Sequence, residues 1–327
     1  MPLVSFTNTL NKLITNKLKR YLLVTPSLYN FMKSIGNVET LPLGHKRFQY
    51  FDIKKPDGAR MASTIHNANI ISPQWGEVSA GLLTLVGKIQ ISAEDWDRYR
   101  TGQWLKGDLV QDTIEMVVPI ILNQVDQFIA WGDEMKNPVD PTLDPFVGSG
   151  EFKGIFNGGT AIAAGIDQDN DVTQAGDYLD TVHRMRKALR ETGHEQKAYP
   201  LFSDLDTAYN ATTGNNFYST TGITEKQRIL EKKWITGWKD SANFIDRTEK
   251  KYRMAMIAAK QNNTNAGGRK GMKNNFELIE SYPFVVKPLH NGGLSSDAYY
   301  ESLIIWRGAF VIYHDTAIQR TGTLKLS

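Results

Sequence analysis

Cysteine is absent from all 327 residues, which excludes disulfides, iron–sulfur clusters and thiolate nucleophiles together. Histidine is sparse: the six are scattered with no i, i+4 pair, so no metal-ligand pattern forms. His194-Glu195 opens like the zinc-protease H-E-x-x-H, but its fifth position is Ala198. A G-x-S-x-G elbow is missing, which leaves a serine triad without support. Long apolar runs are also lacking; Val117–Leu122 falls far short of the roughly 18 residues that cross a bilayer. No apolar segment follows the N-terminal lysines as in a secretory signal, so the expectation is a soluble intracellular product. Charge of one sign is scarce as well: the formal net charge is +3, which favours no class of partner.

The few surplus charges are unevenly placed. Lys12, Lys17, Lys19, Arg20 and Lys33 precede the first acid, Glu39. Phe6, Leu10, Leu13, Ile14, Leu18, Tyr21 and Leu22 recur at three- and four-residue spacing, which predicts an amphipathic helix. Such a helix either docks on its own core with a solvated basic face or serves a partner, another subunit or a polyanion. A lipid surface is the minor third case.

β character begins after Pro42. Arg47–Ile53 (RFQYFDI) is aromatic-rich, and Lys55-Pro56-Asp57-Gly58 marks a turn. Leu83, Leu85, Ile89 and Ile91 share one face of a further strand, with Thr84, Lys88 and Gln90 on the other. The segment between them, with Trp75 near its end, is a long excursion of the kind that is functional or held from outside. Ser92-Ala-Glu-Asp95 predicts a capped short helix. Asp108 then caps a long one whose stripe is Val110, Ile114, Val117, Val118, Ile121, Leu122, Val125, Phe128 and Ile129. Ending at Trp131, that helix would be about 36 Å long. Pro119 inside it predicts a kink and not a break, because the apolar phase continues across it. Tyr178, Leu179, Val182, Met185 and Leu189 predict another helix, closed by Gly193. Helix starts follow at Ser203–Asp206 and Thr224–Gln227, and strands at Arg253–Ala259, Phe276–Leu289 and Leu303–Tyr313. This order of elements is α+β.

Gly148–Ala161 (GSGEFKGIFNGGTA) carries five glycines and invites comparison with phosphate loops. It lacks the lysine–hydroxyl pair of a Walker loop. Gly148, Gly150 and Gly154 are spaced one residue too long for the dinucleotide fingerprint. It also follows a helix and a Pro/Asp-rich linker, where a phosphate loop follows a strand, so a turn is the expectation. Asp167–Asp171 (DQDND) is spaced like a calcium loop without its glycine and terminal glutamate, and reads as solvated loop. The basic pairs Lys54-Lys55 and Arg269-Lys270 lack the interleaved aromatics of a single-strand platform, and also read as solvated loops.

The residues from Asp108 to Ala161 resemble the major capsid proteins of tailed phages and the related encapsulin shell proteins. There a long spine helix ends in a glycine–acid pair, and after a linker comes a G-(I/L)-(I/L/F)-N segment. Here these read QFIAWGDEM and FKGIFNGGTA. Tyr178–Ala211, with Lys197-Ala-Tyr-Pro-Leu201, and the strands FELIESYPFVVKPL and WRGAFVIYHDTAIQ extend the resemblance.

The resemblance implies an N-terminal arm (1–41), an extended E-loop (42–92), a peripheral domain (93–190 and 290–327, with the spine at 108–131) and an axial domain (191–289). It further implies a non-enzymatic shell protein of hexamers and pentamers around double-stranded DNA. Such a protein is a virion component assembled in the host cytoplasm, without cofactor, metal or membrane. Inter-subunit residues would be Arg47, Phe48, Tyr50, Lys54, Lys55 and Trp75. Lys12, Lys17, Lys19 and Arg20 would face packaged DNA, Arg269 and Lys270 would sit in an axial loop, and Gly154, Asn157 and Gly158 would form the post-spine turn. Scaffolding, where needed, would come from a separate protein, beside portal and cement proteins. The alternatives are an encapsulin-type compartment and, distantly, a nucleotide-binding enzyme using Gly148–Gly159.

Overall fold

The computed structural model describes residues 3–25, 27–54, 74–104, 107–132, 153–161, 170–172, 177–213, 217–218, 222–241, 244, 252–260, 274–289, 298–322 and 324–326. The expected axial loop with Arg269 and Lys270, and Lys55, Gly148 and Gly150, lie outside them.

The chain opens with α1 (Leu3–Val24) and α2 (Leu28–Ser34), then β1 (Val38–Thr40), β2 (Arg47–Lys54), β3 (Gln74–Gly81) and β4 (Leu83–Ser92). In α1, Leu10, Ile14, Leu18 and Leu22 fall four residues apart and are all buried. α3 (Ala93–Arg100) starts where Ser92 Oγ accepts the N–H of Asp95, and α4 (Leu109–Trp131) where Asp108 accepts that of Gln111. Pro119 lies inside α4 without ending it. Of the expected apolar stripe, Val110, Ile114, Val118, Ile121, Leu122, Val125, Phe128 and Ile129 are buried, and Val117 is half-buried.

Two short strands follow, β5 (Thr160–Ala161) and β6 (Asn170–Asp171), then α5 (Asp177–Glu191) and β7 (Tyr199–Asp204). α5 ends in a Schellman turn: Gly193 has φ +83°, and His194 N–H returns to Leu189 O at 2.8 Å. α6 (Leu205–Asn210) is capped by Asp204, one residue beyond the expected Ser203. After β8 (Phe217–Tyr218) and β9 (Ile223–Thr224), α7 (Glu225–Leu230) begins in a complete capping box of Thr224 and Gln227. β10 (Ile235–Ser241), β11 (Met254–Ile257), β12 (Phe276–Pro288), β13 (Tyr299–Ile312), β14 (Ile318–Arg320) and β15 (Leu324–Lys325) complete the chain.

The class is α+β; among the described residues two larger sheets stand beside three two-stranded ones. The first runs β1-β12-β13-β4, parallel at β1 and antiparallel elsewhere. Leu83, Leu85, Ile89 and Ile91 of β4 are buried in the core that α1 and α4 close over. β4 and α4 approach so closely at Gly87 that an added Cβ would meet Ile121 Cδ1 at 2.4 Å.

The second sheet runs β10-β7-β11-β14-β5. Its central strands β7 and β11 are buried throughout, and their alternate residues serve different cores. Phe202, Ala255, Ile257 and Ile318 join the core of the first sheet. Tyr199, Leu201, Met254 and Met256 join a second core with Tyr178, Val182, Met185 and Leu189 of α5. The second sheet is therefore a wall shared by both.

This packing moves the ranges expected from the sequence. β4 is part of the first sheet, so the excursion ends at Gly81 and not at 92. α5, expected with 93–190, turns its apolar face into the second core. β12, expected within 191–289, pairs with β13 along its length. β14 belongs to the second sheet, although it lies in 290–327.

Candidate assembly surfaces

The N-terminal segment is fixed first. Apolar residues of α1 pack on α4 and β12, so the helix docks on its own core. Lys17 pairs with the carboxylate of Asp108, the cap of α4. Lys12, Lys19 and Arg20 are exposed.

α2 is held by two buried carboxylates that no local pattern announced. Asp126 of α4 accepts the N–H groups of Leu28 at 3.1 Å and Tyr29 at 3.0 Å. Burial pushes its carboxyl up to about 7, against the pull of those two bonds. Glu280 of β12 accepts Trp306 Nε1–H at 2.6 Å and the Tyr29 hydroxyl at 3.4 Å. It too is raised by burial, while Lys33 and its two hydrogen-bond donors act in the opposite sense.

The glycine-rich turn closes the far end of α4. Ile155 N–H donates to Ile129 O at 3.0 Å, and Phe156 N–H to Ala130 O at 2.9 Å. Asn157 Nδ2 donates to Trp131 O at 2.6 Å, while its Oδ1 accepts Gly154 N–H at 2.6 Å. Three of the carbonyls that a helix end leaves unpaired are thus satisfied by one turn. Gly154 is required by contact: a Cβ there would stand 2.3 Å from backbone atoms of Ala130 and Trp131. Gly158 accepts Arg320 Nε–H at its carbonyl, and Arg253 donates to Phe156 O. The N–H groups a phosphate would need at 154–156 are therefore spent on α4 and Asn157.

Two features offer candidate surfaces for assembly. β2 and β3 pair only with each other among the described residues, in register from Arg47 opposite Gly81 to Lys54 opposite Gln74. Phe48, Tyr50 and Trp75 all lie on this ribbon, about 27 Å long at 3.4 Å per residue. A two-stranded ribbon by itself is marginal in water. On α4, Met116 and Ile120 are one turn apart and exposed, at 72% and 62%. No three His, Asp or Glu side chains converge on a possible metal position among the described residues. Nor is any described helix long and apolar enough to cross a membrane.

No protein-family model matches the chain, and no curated protein does. Solved structures do match. The capsid of Myoviridae phage XM1 superposes with a TM-score of 0.57 at 12% identity, over 89% of this chain and 91% of that one. The capsid of an empty GTA particle gives 0.55 at 12% identity, over 90% of each chain. The capsid of cyanophage P-SCSP1u gives 0.51 at 10% identity, over 89% and 86%. The chain has the tailed-phage capsid fold. On the expectation from the sequence, α4 would be the spine helix and the β2–β3 ribbon would belong to the E-loop. Asn157 closes the C-terminal end of α4, and Asp126 and Glu280 tie α2 to α4 and to β12.

Proposed function

We propose that this chain is a major capsid protein, which assembles through hexamers and pentamers into an icosahedral shell around double-stranded DNA. The observation that carries the reading is the E-loop ribbon. Among the described residues this ribbon joins neither of the larger sheets, and a two-stranded ribbon alone is marginal, so on this reading a neighbouring copy supports it. The exposed apolar pair Met116 and Ile120 on the spine gives a second surface for neighbours. The role is structural, and the turn at Gly154–Gly159 serves the spine and not a nucleotide. The exposed Lys12, Lys19 and Arg20 provide non-specific contact with the packaged DNA. On this reading the protein is a virion component, assembled in the host cytoplasm with separate scaffolding, portal and cement proteins where these are needed.

Electron microscopy of the purified protein tests the proposal. Closed shells or ring-shaped capsomers are expected. A preparation that stays monomeric at every concentration and ionic strength overturns it. Shells that enclose protein and never nucleic acid would instead identify an encapsulin-type compartment.

A further inference from the structure

The outward side of α5 carries a cationic cluster. Because Tyr178, Val182, Met185 and Leu189 turn into the second core, His183, Arg184, Arg186, Lys187 and Arg190 lie on the remaining faces. The segment after α7 adds Lys232, Lys233 and Trp234. The Arg186 guanidinium lies over the Trp234 ring, 4.5 Å from its centroid, and the His183 ring is 5.1 Å from the same ring. His183, Arg186, Lys187, Arg190 and Glu191 line an open cavity of about 370 Å³.

Part of this charge is answered: Lys187 stands 3.7 Å from Glu191, and Arg190 is 2.6 Å from Glu195. Arg186 and Lys232 have no carboxylate within ion-pair distance among the described residues, and Arg186 Nε is buried without a hydrogen-bond partner. The local potential is positive: besides burial, Lys232 and Arg186 lower the proton affinity of His183, against Asp180.

We propose that this cavity binds the backbone phosphates of nucleic acid. Arg186 offers a planar fork of donors suited to phosphate oxygens, placed over an aromatic ring. From 183 to 190 the helix rises about 10 Å, which matches roughly three phosphates of one strand at about 3.4 Å of axis each. The cluster carries no apolar anchor beyond Trp234, so it reads charge and not sequence. The choice of nucleic acid over an acidic protein segment rests on the shell reading.

The test uses the full-length protein before assembly and a fluorescent mixed-sequence duplex of about 30 bp, titrated between about 50 and 200 mM salt. The expected result is that R186A/K187A/R190A binds at least about tenfold more weakly than wild type. The slope of log affinity against log salt should also fall by about 2 to 3. The single variant Arg186→Lys keeps the charge and loses the fork, and an intermediate loss is expected. A triple variant that melts like wild type and keeps both affinity and slope overturns the proposal. So does wild-type protein that binds a polyglutamate peptide but not the duplex, which would assign the cavity to an acidic protein partner. Shell formation by the same variants is scored separately by microscopy. Loss of duplex binding with intact shells supports this site, whereas duplex binding without shells removes only the shell reading.

Discussion

The side-chain amide of Asn157 spans from the N–H of Gly154 to the carbonyl of Trp131, with both hydrogen bonds at 2.6 Å. It locks this turn to the last residue of α4. Asn157→Ala removes both bonds and leaves a part-buried donor and acceptor without these partners, a cost of about 1–3 kcal/mol. Urea unfolding should show that loss at unchanged m-value. Gly154→Ala should be worse, because its Cβ would press on backbone, which cannot rotate away. A Gly154→Ala protein as stable as wild type would contradict the close approach.

Much of this is legible locally. Leu10, Ile14, Leu18 and Leu22, the alternation from Leu83 to Ile91, and the caps at Ser92, Asp108 and Thr224 are short-range patterns, and the helices and strand form where they predict. The turn chemistry of Gly154 and Asn157 is legible locally, but the bond from Asn157 to Trp131, 26 residues earlier, is not. Asp126 and Glu280 are not, because each acts on α2 from far along the chain and a lone carboxylate in a stripe carries no mark of its partner. The placement of α5 escapes the sequence for the same reason. Its amphipathic pattern says that one face is buried but not in which core. The Arg186–Trp234 contact joins two segments that no sequence pattern links.

The buried carboxyl of Asp126 makes stability depend on pH. Its folded value is about 7, above the ~3.9 of an unfolded chain. A raised folded value means that the native state holds the proton more tightly. The contribution is fully present below about pH 4 and is lost as pH rises through 7. The gap between the folded and unfolded values corresponds to at most about 4 kcal/mol across that window. Asp126→Asn should flatten the slope of unfolding free energy between pH 4 and 7, although the amide oxygen replaces only one of two acceptors for Leu28 and Tyr29. Glu280 is raised in the same direction and keeps part of the slope. Equal slopes for wild type and variant would assign the pH dependence elsewhere.

Met116 and Ile120 allow folding and assembly to be separated. Both are largely exposed, so Met116→Glu with Ile120→Glu should change stability by no more than about 0.5 kcal/mol per site. If the spine face meets a neighbour, the same pair places two charges in an interface, and shells should be absent by microscopy while the melting curve is retained. Normal shells from this variant would free the spine face from any assembly role.

Excision of the ribbon is the sharpest test of the E-loop. Leu82 N–H donates to Lys46 O at 2.9 Å, so the ends of residues 47–81 are already adjacent and a short Gly-Ser turn can join them. β4 begins at Leu83 and keeps its pairing with β13 and its packing under α4 when the ribbon is gone. The shortened chain should therefore fold, with a melting temperature within a few degrees of wild type, because among the described residues the ribbon joins neither larger sheet. If the ribbon is what reaches a neighbouring copy, the shortened chain should also sediment as small species. Shells built by the shortened chain would show that the ribbon does not hold copies together. A shortened chain that fails to fold would show that the ribbon is needed by its own subunit, contrary to the pairing seen here.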